Sequence, residues 1–180
     1  MAEPITLAEA KAHLRVVISD EDDYIIALIT AARQMIEGRT QRVLVPVDKT
    51  IPLPAFVDGV PLPGVPFGEI TSITYIDQDG AAQTLDTAVY EVNAFVEPAT
   101  LERKYGQSWP AVQTGSIRVN FTAGYTAPAD VPHALKQWML LAIGAMYENR
   151  EQATAMGAGG IYEIPDSFMG LLWQPYMVYL

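Results

Sequence analysis

Residues 131–150 read VPHALKQWMLLAIGAMYENR, and the rest of the predicted architecture is built around them. Its 3.6-residue period predicts one long helix, with Asp130 as the N-cap and Pro132 just inside the first turn, where proline is favoured. One face carries Leu135, Trp138, Ala142, Ala145 and Met146, and the other faces carry Met139, Leu140, Ile143 and Tyr147. Because a helix that is apolar on all sides must be buried on several of them, we expect this helix to pack centrally and to leave one side for a neighbouring subunit.

Two further helices are predicted near the N-terminus. Thr6 followed by Glu9 has the spacing of a capping box and begins the first helix. Ser19 and Asp20 offer an N-cap for the second, and the acidic run at 20–23 suits the positive end of a helix dipole. Gly38 is the predicted stop of this helix. Apolar residues recur within it at steps of three and four, at Ile25, Leu28, Ile29, Ala32, Met35 and Ile36.

Residues 42–126, between these helices and the long one, have the pattern of antiparallel β structure. Six prolines from Pro46 to Pro66 predict strands that are short, interrupted or at an edge, because proline cannot donate to a sheet ladder. Further strands are predicted at 70–76, packed on both faces, at 90–95 and at 116–121. Asp79-Gly80 predicts a hairpin turn followed by a return strand at 81–85.

Together these elements predict an α+β chain that forms a single domain, residues 1–180. Its helical frame, residues 1–41 and 128–180, is a bundle of two N-terminal helices, the long helix near 131–150 and a short C-terminal helix at 165–173. The β segment at 42–126 is inserted into this frame. The glycine-rich stretch 156–160 is predicted to be a flexible link to the last helix.

Composition excludes several classes of protein. The chain has no cysteine, so it has no disulfide, thiol catalysis or thiolate zinc site. It has 11 Lys+Arg against 21 Asp+Glu, a net charge of −10, which argues against a nucleic-acid reader and against polybasic membrane binding. No signal sequence is visible, and the longest apolar run, at 138–147, spans about half a bilayer core as a helix, so we expect a soluble protein.

No residue pattern predicts a catalytic, metal or cofactor site. His13 and His133 lack a histidine or carboxylate three or four positions after them and are interpreted as surface residues. The acidic run at 20–23 lacks the alternating ligands, turn glycine and distal glutamate of a calcium loop. Gly157, Gly159 and Gly160 follow a helix rather than a strand, which indicates a linker rather than a phosphate cradle. We therefore expect no enzyme, with a dispersed carboxylate site as the open alternative.

The order of the segments carries a resemblance over nearly the whole chain. Its most specific parts are TLAEAKAHLR at 6–15, DDYIIALITAARQMIEGRTQR at 22–42, the segment from GYT at 124–126 to YENRE at 147–151, and PDSFMGLLWQPY at 165–176. In this order and spacing they resemble the head–tail connector (adaptor) proteins of tailed bacteriophages and prophages. The resemblance implies a structural subunit of a closed ring of about a dozen copies.

The resemblance also implies partners and a location. The ring is expected to dock on the portal protein, to extend the DNA channel toward the tail, and to meet a head-closure or tail protein there. DNA would pass without specific binding, which an acidic wall favours by repulsion. The implied location is the head–tail junction of the virion, with host cytoplasm during assembly. Another virion protein, a head-closure or tail-terminator subunit, is the alternative, and it would be mostly β without the long helix.

Two sets of site residues follow from the resemblance. The portal-binding candidates are Leu171, Leu172, Trp173, Pro175 and Tyr176, and the ring-interface candidates are Trp138, Leu140, Ile143 and Tyr147. The alternative for the C-terminal segment is a helix packed on the core of its own subunit. The chain departs from the family pattern after Tyr176, where it continues to Leu180 instead of ending with a basic residue.

Overall fold

The computed structural model describes residues 2–150 and 166–178. They fall into two compact units: one is built on Met1–Val45 and Thr126–Met177, the other on Pro46–Tyr125. The first contains the helices and the second contains the strands, so the predicted α+β class is confirmed. The predicted link at 156–160 lies outside the described residues.

The helical unit contains the four predicted helices: α1 (Leu7–Leu14), α2 (Asp22–Thr40), α3 (His133–Glu148) and α4 (Asp166–Trp173). The short 3-10 turns Pro128–Asp130 and Gln174–Tyr176 precede α3 and follow α4. Helix α3 packs against each of the other three helices, as its apolar faces predict. The buried core of this unit includes Ile25, Leu28, Ile29, Ala32 and Ile36 of α2 with Leu135, Trp138, Met139, Ala142 and Ile143 of α3.

Local chemistry sets the bounds of α1. The predicted capping box is confirmed: Thr6 Oγ1 accepts a hydrogen bond from the Glu9 amide at 3.2 Å, and Glu9 Oε2 accepts one from the Thr6 amide at 2.7 Å. These bonds satisfy two of the amides that a helix N-terminus leaves free. At the other end, Arg15 adopts the left-handed conformation with φ 59°, and its amide donates to the carbonyls of Ala12 and Lys11.

Both predicted ends of α2 are wrong. Glu21, not Ser19 or Asp20, stands at the N-cap position; it makes no side-chain cap, and its carboxylate accepts a hydrogen bond from Tyr147 of α3. The helix runs past Gly38 to Thr40, and its C-cap is Gln41, whose φ is 59° and whose amide donates to the Glu37 carbonyl at 2.8 Å. Gly38 is therefore an ordinary helical position on the solvent side.

The predicted start of α3 is also displaced. Asp130 belongs to the preceding 3-10 turn, where its carboxylate accepts a hydrogen bond from the Ala127 amide at 3.0 Å. The chain is extended at Val131, and Pro132 is the N-cap residue rather than the first turn. Helix α3 ends at Glu148, two residues before the predicted end, because Asn149 leaves the helical conformation.

The β unit contains seven strands in two antiparallel sheets. One sheet has the order β1-β7-β3-β4 and the other β2-β6-β5. The strands are β1 (Val47–Leu53), β2 (Val60–Pro61), β3 (Phe67–Ile76), β4 (Ala82–Thr84), β5 (Tyr90–Asn93), β6 (Thr100–Arg103) and β7 (Ile117–Ala123). The prolines within strands, Pro52 in β1 and Pro61 in β2, lie in edge strands, as predicted.

Three details of the β unit bear on the predictions. The Asp79-Gly80 hairpin is confirmed, with Gly80 at φ 87° and Asp77 Oδ1 accepting the amides of Asp79 and Ala81. The strand predicted at 70–76 is less buried than expected: Ile73 is its only fully buried residue, while half-buried residues stand on both faces. Strand β6 was not predicted, because its short sequence gains its conformation by pairing with β5 and β2.

Candidate functional site

The C-terminal segment, defined here as Met169–Met177, has an inner and an outer side. Trp173, Tyr176 and Met177 are half-buried, and Gly170 is buried, at the spacing of one helix face. Leu171 and Pro175, four positions apart, are exposed, and the Leu171 side chain is 71% accessible. We call Leu171, Gln174 and Pro175 the outer strip. It presents a large apolar side chain on a segment that is otherwise held by its own chain.

Two arginines of the α2 end hold the inner side. The Arg39 guanidinium carbon lies 5.7 Å from the centre of the Trp173 ring and 5.9 Å from that of Trp138. Arg42 Nε donates to the Tyr176 carbonyl at 2.7 Å, and its guanidinium lies 5.9 Å from the Tyr176 ring. Cation–π contacts of this kind add to the packing of α4 on α3.

The five predicted portal-binding residues therefore differ in exposure. Leu171 and Pro175 are exposed, Leu172 is half-buried, and Trp173 and Tyr176 are half-buried against the two arginines. The segment packs on its own helical unit, as in the alternative prediction of a C-terminal helix that packs on the core of its own subunit. Its outer strip nevertheless stays accessible.

The four predicted ring-interface residues also separate by burial. Trp138 and Ile143 are buried within the chain, with exposed fractions of 3% and 0%. They have almost no surface to offer a neighbour. Leu140 and Tyr147 are half-buried and keep accessible area. The predicted interface remains a prediction for these two.

Tyr147 belongs to a polar cluster that joins the start of α2 to the end of α3. Its hydroxyl donates a short hydrogen bond to Glu21, and Arg150 donates to the same carboxylate at 2.5 Å. The Arg150 guanidinium also lies 4.7 Å from the ring centres of Tyr24 and Tyr147. The hydrogen bonds from Tyr147 and Arg150 hold the pKa of Glu21 below its ordinary value, and the bond to Glu21 raises the pKa of Tyr147.

Several exposed apolar residues at and before α2 do not follow from the sequence pattern. The periodic set that contains Met35 predicts burial, but 44% of Met35 is exposed, and Ile26 is exposed to 47%. Ile26 and Met35 are nine positions apart, about two and a half helical turns, so they lie on opposite flanks of the stripe that joins Ile25, Ala32 and Ile36. Val17 and Ile18, in the loop before α2, are also exposed.

Within residues 2–150 and 169–178, whose side chains the structure describes, no three His, Asp or Glu side chains lie together as a metal site would require. His13 and His133 are exposed, and Asp22 of the acidic run forms an ion pair with Lys11 at 2.5 Å. No helix in the described part of the chain is both long enough and apolar enough to span a bilayer.

Comparison with known proteins gives a family match and a fold match. Residues 4–61 match the model of the phage gp6-like head-tail connector protein family, which confirms the resemblance in the N-terminal third of the chain. Among curated protein sequences, none matches the chain significantly.

The fold match covers the whole chain. A chain from the virion of a native gene transfer agent particle is 23% identical, with a TM-score of 0.76 over 98% of this chain and 91% of that one. A chain from the neck of an empty particle, computed with C6 symmetry, is 24% identical, with a TM-score of 0.74 over 100% and 94%. A chain from the neck of the native particle, computed with C12 symmetry, is 24% identical, with a TM-score of 0.70 over 100% and 93%.

Proposed function

We propose that this chain is a structural, non-catalytic subunit of a ring at the neck of a tailed phage or phage-like particle. The observation that carries the proposal is the coincidence of the two comparisons. The connector family model matches residues 4–61, and the whole chain shares its fold with chains from the neck of gene transfer agent particles. Helix α3, at His133–Glu148, favours this function over a mostly β head-closure or tail-terminator subunit.

In the proposed assembly the ring docks on the portal and extends the DNA channel toward a head-closure or tail protein. The net charge of −10 fits a conduit, because like charge keeps DNA from adhering to the wall. The proposed location is the head–tail junction of the virion, reached by assembly in the host cytoplasm.

The proposed portal contact is the outer strip of the C-terminal segment. Trp173 and Tyr176 hold the segment on α2 and α3, while Leu171 and Pro175 face outward. Leu171 is large, apolar and 71% exposed, so a partner that covers it removes apolar surface from water, which stabilises the contact. The segment can thus be oriented by its own subunit before it meets the portal.

Binding to the purified cognate portal ring tests the proposal. Deleting residues 161–180 should abolish binding while circular dichroism still reports a folded chain. Leu171→Ser should weaken binding about tenfold, because a leucine side chain would no longer be buried. Val57→Ser, an exposed apolar position in the β unit, is the matched control and should bind like the wild type. Undiminished binding of the deleted chain would refute docking through the C-terminal segment.

A further inference from the structure

We propose that the β unit joins neighbouring copies of this chain: the Tyr105 side chain of one copy enters an apolar cavity beside the β5–β6 loop of the next. The inference rests on the proposed ring and deepens it, because it names one of the contacts that would hold the ring together.

The cavity lies beside the loop between β5 and β6 and has a volume of about 120 Å³. Glu97 is the only charged residue among the seven that line it. Its wall is held in place, since Val65 and Ala99 are buried and the Phe67 ring stacks on Phe121 with 6.0 Å between the ring centres. The volume is close to the roughly 150 Å³ of an engineered apolar cavity that takes up benzene, so it suits one aromatic ring.

Tyr105 stands on a tight turn just after β6. The turn at 104–107 is closed by a hydrogen bond from the Gln107 amide to the Lys104 carbonyl at 3.1 Å. Gly106 has a φ of 78°, as the third residue of a type II turn requires. The Lys104 amide donates to the Val89 carbonyl at 2.9 Å, which fixes the turn to the chain before β5. The fully exposed Tyr105 ring is therefore presented by an ordered backbone, and binding costs little further ordering.

The geometry of a ring selects Tyr105 as the occupant of the cavity. Phe95 and Tyr105 are the two aromatic side chains that are fully exposed within residues 2–150 and 169–178. Phe95 belongs to the loop that forms the cavity, so its insertion into a second copy favours a reciprocal pair, which closes at two copies. Tyr105 follows the opposite end of β6, so its insertion joins two different surfaces head to tail. Such a contact can repeat around a ring.

The test measures how many copies of full-length variants assemble on the cognate portal ring, and at what concentration. Tyr105→Ser should raise that concentration at least about tenfold, because an aromatic ring is no longer buried, whereas Tyr105→Phe should assemble like the wild type. Ala94→Trp should weaken assembly similarly, because Ala94 is an exposed residue of the cavity wall and a larger side chain fills the space. Val57→Ser, at an exposed aliphatic position of the same unit, is the matched control and should assemble like the wild type.

Crosslinking identifies the two surfaces directly, because the chain has no cysteine of its own. With a short thiol-reactive crosslinker, the double variant Tyr105→Cys and Ala94→Cys should give a ladder of linked copies on the portal. A mixture of the two single variants should give linked pairs, and neither single variant alone should give any. Pairs formed by one single variant alone would show a reciprocal contact and would overturn the inference.

The remaining outcomes separate the inference from the proposed function. If Phe95→Ser weakens assembly and Tyr105→Ser does not, the ring stands and the assignment of Tyr105 is wrong. If Ala94→Trp weakens assembly while both aromatic variants assemble normally, an aromatic side chain of another protein fills the cavity, and the contact between copies is refuted. A wild-type chain that forms no ring with the portal contradicts the proposed function, and the inference fails with it.

Discussion

Nothing in the sequence separates Gly38 from Gly68, but the structure leaves room for a side chain at Gly38 and none at Gly68. A Cβ atom added at Gly38 meets nothing within 4 Å, and the residue lies in helix α2. A Cβ added at Gly68 would overlap the Thr122 side chain and lie 2.9 Å from the Thr122 carbonyl oxygen, where β3 and β7 shift register. Helix propensity therefore governs the first position and close approach of two strands governs the second.

Replacing these two glycines tests that difference. Gly38→Ala should raise the free energy of unfolding by about 0.5–1 kcal/mol, because alanine costs less backbone entropy in a helix. Gly68→Ala should lower it by about 1–3 kcal/mol, because the methyl group overpacks the β3–β7 contact. Urea unfolding measures both. A stabilising Gly68→Ala variant would show that this strand contact is looser than described.

Residue type alone does not predict which of the portal-binding candidates are exposed. The five portal-binding candidates are all apolar or aromatic, and nothing in their sequence separates exposed Leu171 and Pro175 from the rest. Arg39 and Arg42 contact Trp173 and Tyr176 on one side of the segment, so Leu171 and Pro175 are left exposed on the other. Arg42 lies 134 positions from Tyr176, whose carbonyl it binds, so no local pattern predicts which side of the segment is held.

Helix ends that are fixed by local hydrogen bonds follow from the sequence, whereas helix ends and strands that depend on distant contacts do not. The capping box of α1 uses residues three positions apart and follows from the sequence. The start of α2 does not, because Glu21 is bound by Tyr147 and Arg150 across the helical unit. Strand β6 likewise depends on its partners β2 and β5.

The contact between α2 and α3 predicts a pH dependence. The lowered pKa of Glu21 means that its ionised form stabilises the folded chain above the ordinary glutamate range. This stabilisation is lost as the pH falls through the lowered pKa of the folded state. Tyr147→Phe removes the hydrogen bond that lowers this pKa most, so the pKa of Glu21 should rise toward its ordinary value.

An NMR titration of the Glu21 carboxyl carbon measures the shift directly. Tyr105→Phe is the matched control, because Tyr105 is fully exposed and should leave the titration of Glu21 unchanged. An identical Glu21 pKa in the wild type and in Tyr147→Phe would contradict the role given to this hydrogen bond.

A ring needs two different faces of each subunit, since head-to-tail contacts close a cycle. Ile26 and Met35, on opposite flanks of α2, are two exposed apolar candidates, and the accessible part of α3 at Leu140 and Tyr147 is another. Trp138 and Ile143 are buried within their own chain. An apolar pattern on all sides of α3 therefore does not identify which side would face a neighbouring subunit.

Charges placed at the two exposed apolar positions of α2 test their part in the ring. The double variant Ile26→Glu and Met35→Glu should fold normally, since both positions are exposed, but it should bind the portal with fewer copies and a less steep binding curve. The physical reason is that carboxylates buried without partners are costly. Val57→Glu in the β unit serves as the control. Unchanged stoichiometry and steepness would exclude both flanks of α2 from the contact between subunits.

Electron cryomicroscopy of the cognate portal ring incubated with the full-length chain shows directly whether the subunits assemble as a ring on the portal. We expect a second ring of density, coaxial with the portal, that continues its channel and contacts it through residues 169–177. A portal that remains bare at saturating concentrations of the chain, or copies bound through another surface without a ring, would contradict this expectation.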